Sequence, residues 1–293
     1  MRILILGGNG MLGHRFLYSW RDRHEVKVTL RGELSNYATF GLFDSTNSFA
    51  GVDIHDLNHL EMIIRDFRPD AVVNAIGITK QRTGESNIIP TIEINALFPH
   101  LLAGLCSKHC SRMVQMSTDC IFSGRSGLYD EQAVSDAEDL YGRSKFLGEV
   151  DQPHVVTIRK STIGLELTGS HGLVEWFLAQ RGKIRGFRGA IYSGLISSEL
   201  AHVVETILTL HPELSGIWNI SSKPISKYDL LLQLAEKLNR DDIEIEPFDD
   251  FICDRSLNSK IFRENTGYIA PSWDSMLNEL VEQIEKRDSS YVR

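Results

Sequence analysis

The stretch RILILGGNGMLGHRF, residues 2–16, constrains this chain more than any other. RILIL (2–6) is a short apolar run of the kind a buried strand makes, and Gly7, Gly10 and Gly13 follow it at the opening of a helical stretch over 11–22. In such a loop the first glycine permits a tight turn, the second lets a phosphate approach the backbone, and the third lets the helix pack closely on the sheet. The free N–H groups at the helix start, with its dipole, then face an anion. The flanking strand and helix carry this reading, because a glycine triplet alone also serves as a plain turn. Asn9, Met11 and Leu12 fill the same loop and are expected to touch a bound dinucleotide.

The pattern continues past the loop. EVKVTL (25–30), AVVNAIG (71–77), RMVQMS (112–117) and HVVTIR (154–159) read as strands, and 57–67, 91–110 and 138–151 as the helices between them. Strands separated by helices imply right-handed crossovers and a parallel sheet covered on both faces, a doubly wound α/β Rossmann fold. Beyond residue 160 the alternation loosens. Helices are expected over 172–181, 197–210, 226–238 and about 273–286, a return strand over 216–220, and turns among the acidic residues of 240–272. The last seven residues, RDSSYVR, are expected to fray. The expected organisation is a dinucleotide-binding domain over 1–165 and a smaller substrate-binding lobe over 166–293, some of whose elements return to the sheet.

Charge and cysteine usage narrow the partners. With 31 basic and 39 acidic residues the formal charge is -8, which argues against a broad nucleic-acid surface. No apolar run approaches the ~18 residues of a membrane span, and the one at the N-terminus is too short for a signal peptide. Cys106, Cys110, Cys120 and Cys253 lack a second pair at ligand spacing, so Cys106 and Cys110 read as buried free thiols, no metal is expected, and a reducing, cytoplasmic setting fits. Arg31 follows the second strand, where an acidic residue would bond an NAD ribose. An arginine there suits a 2′-phosphate, so NADPH is the expected cofactor; Glu33 lies close enough to leave NADH open, and a solvated surface charge is the alternative role for Arg31. Tyr141 and Lys145 stand i, i+4 in DLYGRSKFLGEV. On one helix face a lysine stabilises a neighbouring phenolate and would lower the phenol's pKa by ~2 units, although an ordinary exposed helix pair has the same spacing.

Taken in order, the glycine loop, FRPDAVVNAIGIT (67–79), EINA (93–96), MSTDCIFSG (116–124), LYGRSKFLGE (140–149) and TIRKSTIG (157–164) make the chain resemble the extended short-chain dehydrogenase/reductases, and among them the dTDP-4-dehydrorhamnose reductase family. The likeness spans the chain and is strongest over 1–165. It implies a catalytic set of Thr118, Tyr141 and Lys145. Thr118 would bond the substrate carbonyl, Tyr141 would protonate it, and Lys145 would hold the nicotinamide ribose. It further implies cofactor contacts by Asp53, Ile54, Ala75, Ile76 and Gly77, with Asn95 and Ser117 contacting the cofactor or organising the site. Related dehydratases carry Thr-Asp-Glu where this chain has Thr118-Asp119-Cys120, so dehydration is not expected.

In this fold the second half holds the substrate, and Arg181, Lys183, Arg185 and Arg188 in QRGKIRGFRG are candidates for meeting a nucleotide-sugar diphosphate, Arg185 first. Thr79, Lys80 and Trp176 would border the sugar. The reading is an NAD(P)H-dependent reductase of a nucleotide-linked 4-keto sugar, supplying a surface polysaccharide precursor, with a homodimer left open. Two other readings compete. Cys120 and His171 match a cysteine and a histidine of relatives that epimerise a keto sugar before reducing it, and a non-catalytic regulatory subunit of methionine adenosyltransferase resembles the same family.

Overall fold

The computed structural model describes residues 1–83 and 87–291. In chain order its first half runs β1 (Arg2–Leu6), α1 (Met11–Trp20), β2 (Glu25–Thr29), β3 (Ser48–Phe49), α2 (Leu57–Phe67), β4 (Ala71–Asn74), α3 (Ile88–Ile92), α4 (Phe98–Lys108), β5 (Arg112–Met116), α5 (Leu140–Leu147) and β6 (Val155–Arg159). The second half runs β7 (Thr162–Ile163), α6 (Leu173–Ala179), β8 (Gly182–Phe187), β9 (Ala190–Tyr192), β10 (Leu195–Ile196), α7 (Ser197–Leu210), β11 (Gly216–Asn219), β12 (Ile225–Ser226), α8 (Lys227–Lys237), β13 (Ile243–Phe248), β14 (Cys253–Asp254), α9 (Lys260–Thr266) and α10 (Trp273–Tyr291).

Seven parallel strands form the central sheet in the order β11-β6-β5-β4-β1-β2-β3. The apolar runs read from the sequence have a direct cause. Along β1, Ile3 and Ile5 enter a core on one face, and Leu4 and Leu6 enter the core on the other. β4, β5 and β6 divide the same way, with Val73, Val114 and Val156 on the first face and Val72, Met113 and Val155 on the second. Strands buried on both faces have no polar side to alternate with. The chain leaves β1 toward β2 on one side and toward β4 on the other, so the strand order reverses beside β1. The crevice at the carboxyl ends of β1 and β4 is where ligands sit in such sheets.

Several elements depart from the sequence expectations. β3 is a two-residue seventh strand, α9 interrupts the stretch 240–272, and α10 continues to Tyr291 where fraying was expected. The helix expected over 91–110 starts at Ile88 and contains a π-helical turn at Glu93–Leu97. Against the expectation that no apolar run approaches a membrane span, Ile88–Lys108 is long and apolar enough to cross one by length and composition; Phe98, Leu102, Ala103 and Cys106 of this stretch pack into the core. Cys110, expected to be buried, is exposed at a left-handed residue just past α4. The second half also contributes to the central body: β11 extends the sheet, and the Trp20 indole of α1 donates to the Ala201 carbonyl of α7 at 3.2 Å.

Candidate functional site

The glycine loop turns at the carboxyl end of β1. Gly7 has φ +85°, and its N–H donates to Thr29 Oγ1 at 3.2 Å. A Cβ on Gly13 would lie 2.1 Å from the Gly7 carbonyl oxygen, so only glycine lets α1 approach the loop this closely. Gly10 caps α1 with no side chain, which leaves the helix start open to an anion. These residues fit the pyrophosphate of a dinucleotide. Asn9, Met11 and Leu12 are half-buried around the loop, and Met11 reaches across to Gly164 and Gly172. His14, which sequence reasoning missed, fixes the first turn by hydrogen-bonding the Gly10 carbonyl through Nδ1 at 2.8 Å; burial pulls its pKa down to about 4.

The carboxyl end of β4 forms the opposing wall. Ala75 and Ile76 are half-buried and Gly77 is exposed. Asn95, in the π-helical turn, holds this wall: its amide donates to the Ile78 carbonyl at 2.9 Å and to Ser144 Oγ at 3.2 Å, and its oxygen accepts the Ile78 N–H at 2.9 Å. The extra residue of a π turn re-aims one side chain off the helical ladder, and here Asn95 is aimed between β4 and α5. A Cβ on Gly148 would meet the Asn95 carbonyl oxygen at 1.9 Å, so this turn and the end of α5 nearly touch.

Thr118, Tyr141 and Lys145 come together at the carboxyl end of β5. Thr118 Oγ1 donates to Asp119 Oδ1 at 3.1 Å and accepts the Cys120 N–H at 3.2 Å. Lys145 is buried, and its ammonium donates to the Met116 carbonyl at 2.5 Å, beside Gly77. Burial pulls the Lys145 pKa down to about 7. The expectation that Lys145 lowers the Tyr141 pKa is corrected. Burial pushes the phenol well above its ordinary range, and a hydrogen bond with Thr118 only partly opposes the rise. Asp119 is buried and its carboxyl is likewise raised by burial, against the pull of Arg255.

The model of the RmlD substrate-binding domain family matches residues 1–163. The chain belongs to that family. A dTDP-4-dehydrorhamnose reductase from Aggregatibacter actinomycetemcomitans is 26% identical over 247 residues, 80% of this chain and 79% of that one. The methionine adenosyltransferase 2 subunit beta of Bos taurus is 24% identical over 148 residues, 50% of this chain and 41% of that one. The solved dTDP-4-dehydrorhamnose reductase from Bacillus anthracis, in complex with NADP, superposes with a TM-score of 0.78 at 20% identity, covering 96% of this chain and 99% of that one.

Within this RmlD-family fold the remaining candidates divide. Arg31 is exposed just past β2. Asp53 is exposed, its carboxylate accepting the His55 N–H at 3.0 Å, and Ile54 packs against the second core. Ser117 is buried, and its hydroxyl donates to Glu149 Oε1 at 2.6 Å. The basic run is also corrected. It forms β8, paired in parallel with the acidic β13, and Arg181, Lys183 and Arg188 are bridged to Asp242, Glu244 with Glu246, and Asp249. Arg185 is exposed on that ribbon and stacks on the Phe248 ring at 4.9 Å. His171 sits exposed before α6, its N–H bonded to Glu166 at 3.1 Å, and Trp176 is exposed on α6. Thr79 is exposed at the start of a short turn that carries Lys80.

Arg255 was not legible from the sequence. It follows β14, and its Nε donates to the Phe122 carbonyl at 2.8 Å while Nη1 reaches the Cys120 sulfur at 3.6 Å. From the other side Lys80 donates to Asp139 at 2.7 Å, and the same carboxylate caps α5 through the Gly142 N–H at 2.8 Å. Two cations thus approach Cys120 from separate parts of the chain. The Cys120 thiol itself is pushed up to about 12, chiefly by burial and then by the Asp119 charge. Burial therefore favours the protonated thiol.

Proposed function

We propose that this chain is an NADPH-dependent reductase of a nucleotide-linked 4-keto sugar, with the dinucleotide lying from the glycine loop to Lys145. NADPH, when bound, supplies the hydride that reduces the keto carbon. The chain's own residues then do three things. Thr118 and Tyr141 hold the ketone oxygen, and Tyr141 gives it a proton. At rest burial keeps the hydroxyl protonated, and a donor this weak releases its proton only as negative charge builds on the oxygen beside it. Lys145, anchored on the Met116 carbonyl next to Gly77, holds the ribose, and its positive charge favours the phenolate as it forms. Arg31 receives the 2′-phosphate, and Arg255 with Lys80 receives oxygens of the substrate.

The observation that carries this reading is the convergence of Thr118, Tyr141 and Lys145 at the end of β5, across the crevice from the glycine loop. The RmlD family match and the reductase relatives support the same substrate class. The test is the loss of NADPH absorbance when the protein is given dTDP-linked and UDP-linked 4-keto sugars. Consumption with at least one of them is expected, and none with any of them would contradict the reading.

A further inference from the structure

Behind the site lies an ion pair that none of the steps above uses. Glu149 stands one turn after Lys145, just beyond α5. Its Oε1 accepts the Ser117 hydroxyl at 2.6 Å and Arg159 Nε at 2.9 Å, and its Oε2 accepts Arg159 Nη2 at 2.7 Å. The two side chains are 3% and 5% exposed. A buried ion pair gains little stability over an apolar pair of the same size, so its presence here asks for another reason. Its position supplies one. Ser117 directly follows Met116, whose carbonyl holds the Lys145 ammonium. The carboxylate therefore grips both the strand end that anchors Lys145 and the helix end that carries it.

We propose that Glu149 is a positioning residue for Lys145, the fixed negative charge against which the buried ammonium is held, with Lys160 as the opposing charge. Lys160 follows β6, and its carbonyl accepts the Asp119 N–H at 3.1 Å, which places it across from the end of β5. Of the charged groups around Lys145, Arg159 is closed onto Glu149, and Asp119 faces Lys160 and Arg255. Burial is the main force discharging Lys145, Lys160 adds to it, and Glu149 opposes both. Removing Glu149 should discharge Lys145 at lower pH, and removing Lys160 should do the reverse.

The test reads Lys145 directly in the cofactor-free protein labelled with 13C at lysine Cε, its signal assigned by its loss in Lys145→Met. Glu149→Gln should lower the titration midpoint by ~1 unit, which raises the uncharged fraction at pH 6 about fivefold, and Lys160→Met should raise the midpoint. If Glu149→Gln does not fold because Arg159 is stranded, the double exchange Glu149→Met with Arg159→Met removes the pair together and should still lower the midpoint, by a smaller amount because the Arg159 charge leaves with it. NADPH affinity should then fall more at pH 7.5 than at pH 6. An unmoved midpoint in a folded variant, or an affinity loss equal at every pH, would overturn the proposal. The functional reading enters only through the ribose contact of Lys145. The labelling readout needs neither substrate nor turnover, so failure of that reading would leave the midpoint shifts in place.

Discussion

The Lys145 ammonium donates to the Met116 carbonyl oxygen at 2.5 Å. The lysine is thereby tied to the end of β5, the strand that also leads to Thr118, so the hydroxyl of one element and the ammonium of another share one anchor. Burial holds the phenol of Tyr141 protonated and leaves Lys145 to titrate near pH 7. In the proposed reaction the proton donor and the positive charge are thus in place before any charge appears on the substrate.

Tyr141→Phe removes only the acid hydroxyl. Turnover should fall at least ~100-fold while NADPH binding and the melting temperature stay near the wild-type values. Steady-state kinetics together with a fluorescence titration of NADPH checks this, and near-full turnover in the variant would remove Tyr141 from the mechanism.

Arg31→Ala tests the choice of cofactor. Only NADPH carries the 2′-phosphate, so its binding should weaken by ~1.5–3 kcal/mol while that of NADH changes little. Calorimetry with both dinucleotides measures the difference, and equal losses would place Arg31 away from the phosphate.

Arg255→Ala should raise KM for the nucleotide-sugar about tenfold or more and leave NADPH affinity unchanged, since a hydrogen bond to a charged group is worth about 1.5–3 kcal/mol. Arg185→Ala is the matched control. Its guanidinium stacks on Phe248 in the β8–β13 ribbon, so KM should hold. The reverse ranking of the two variants would return the substrate contact to the basic run.

His14 makes the glycine loop sensitive to acid. Its folded pKa of about 4 lies below the ordinary value of 6.5, so its contribution to stability is fully present above pH ~6.5 and is lost as pH falls toward 4. That span corresponds to on the order of 3 kcal/mol. Thermal melts between pH 7 and pH 4 should show a smaller loss in His14→Gln than in the wild type; parallel curves would mean that His14 does not govern the acid response.

The central strands β1, β4, β5 and β6 were legible because each is buried on both faces, and α2 and α4 because each carries an apolar stripe. The glycine loop was legible because its spacing serves one backbone geometry. Arg255 was not, since it reaches Cys120 across 135 residues from a stretch without periodicity. The ribbon was hidden for a related reason: KIRGF and IEIEPF each look like charged loops until they are paired, and the pairing brings Lys183 to Glu244 across 61 residues. The direction of the Ser117 side chain was not legible either, since a position in a motif does not reveal which way a side chain leaves a strand, and this one leaves toward Glu149.

The most direct test of the central claim follows the reacting atoms. NADPH deuterated at nicotinamide C4, on the face that reacts, is incubated with the protein and a dTDP-linked 4-keto-6-deoxy sugar, and the product is examined by mass spectrometry and NMR. The account predicts one deuterium at sugar C4 for each NADPH oxidised, with Tyr141→Phe slowing the transfer at least ~100-fold. Tight NADPH binding with no deuterium in any of the panel sugars would contradict it and identify a cofactor-binding protein that does not turn over.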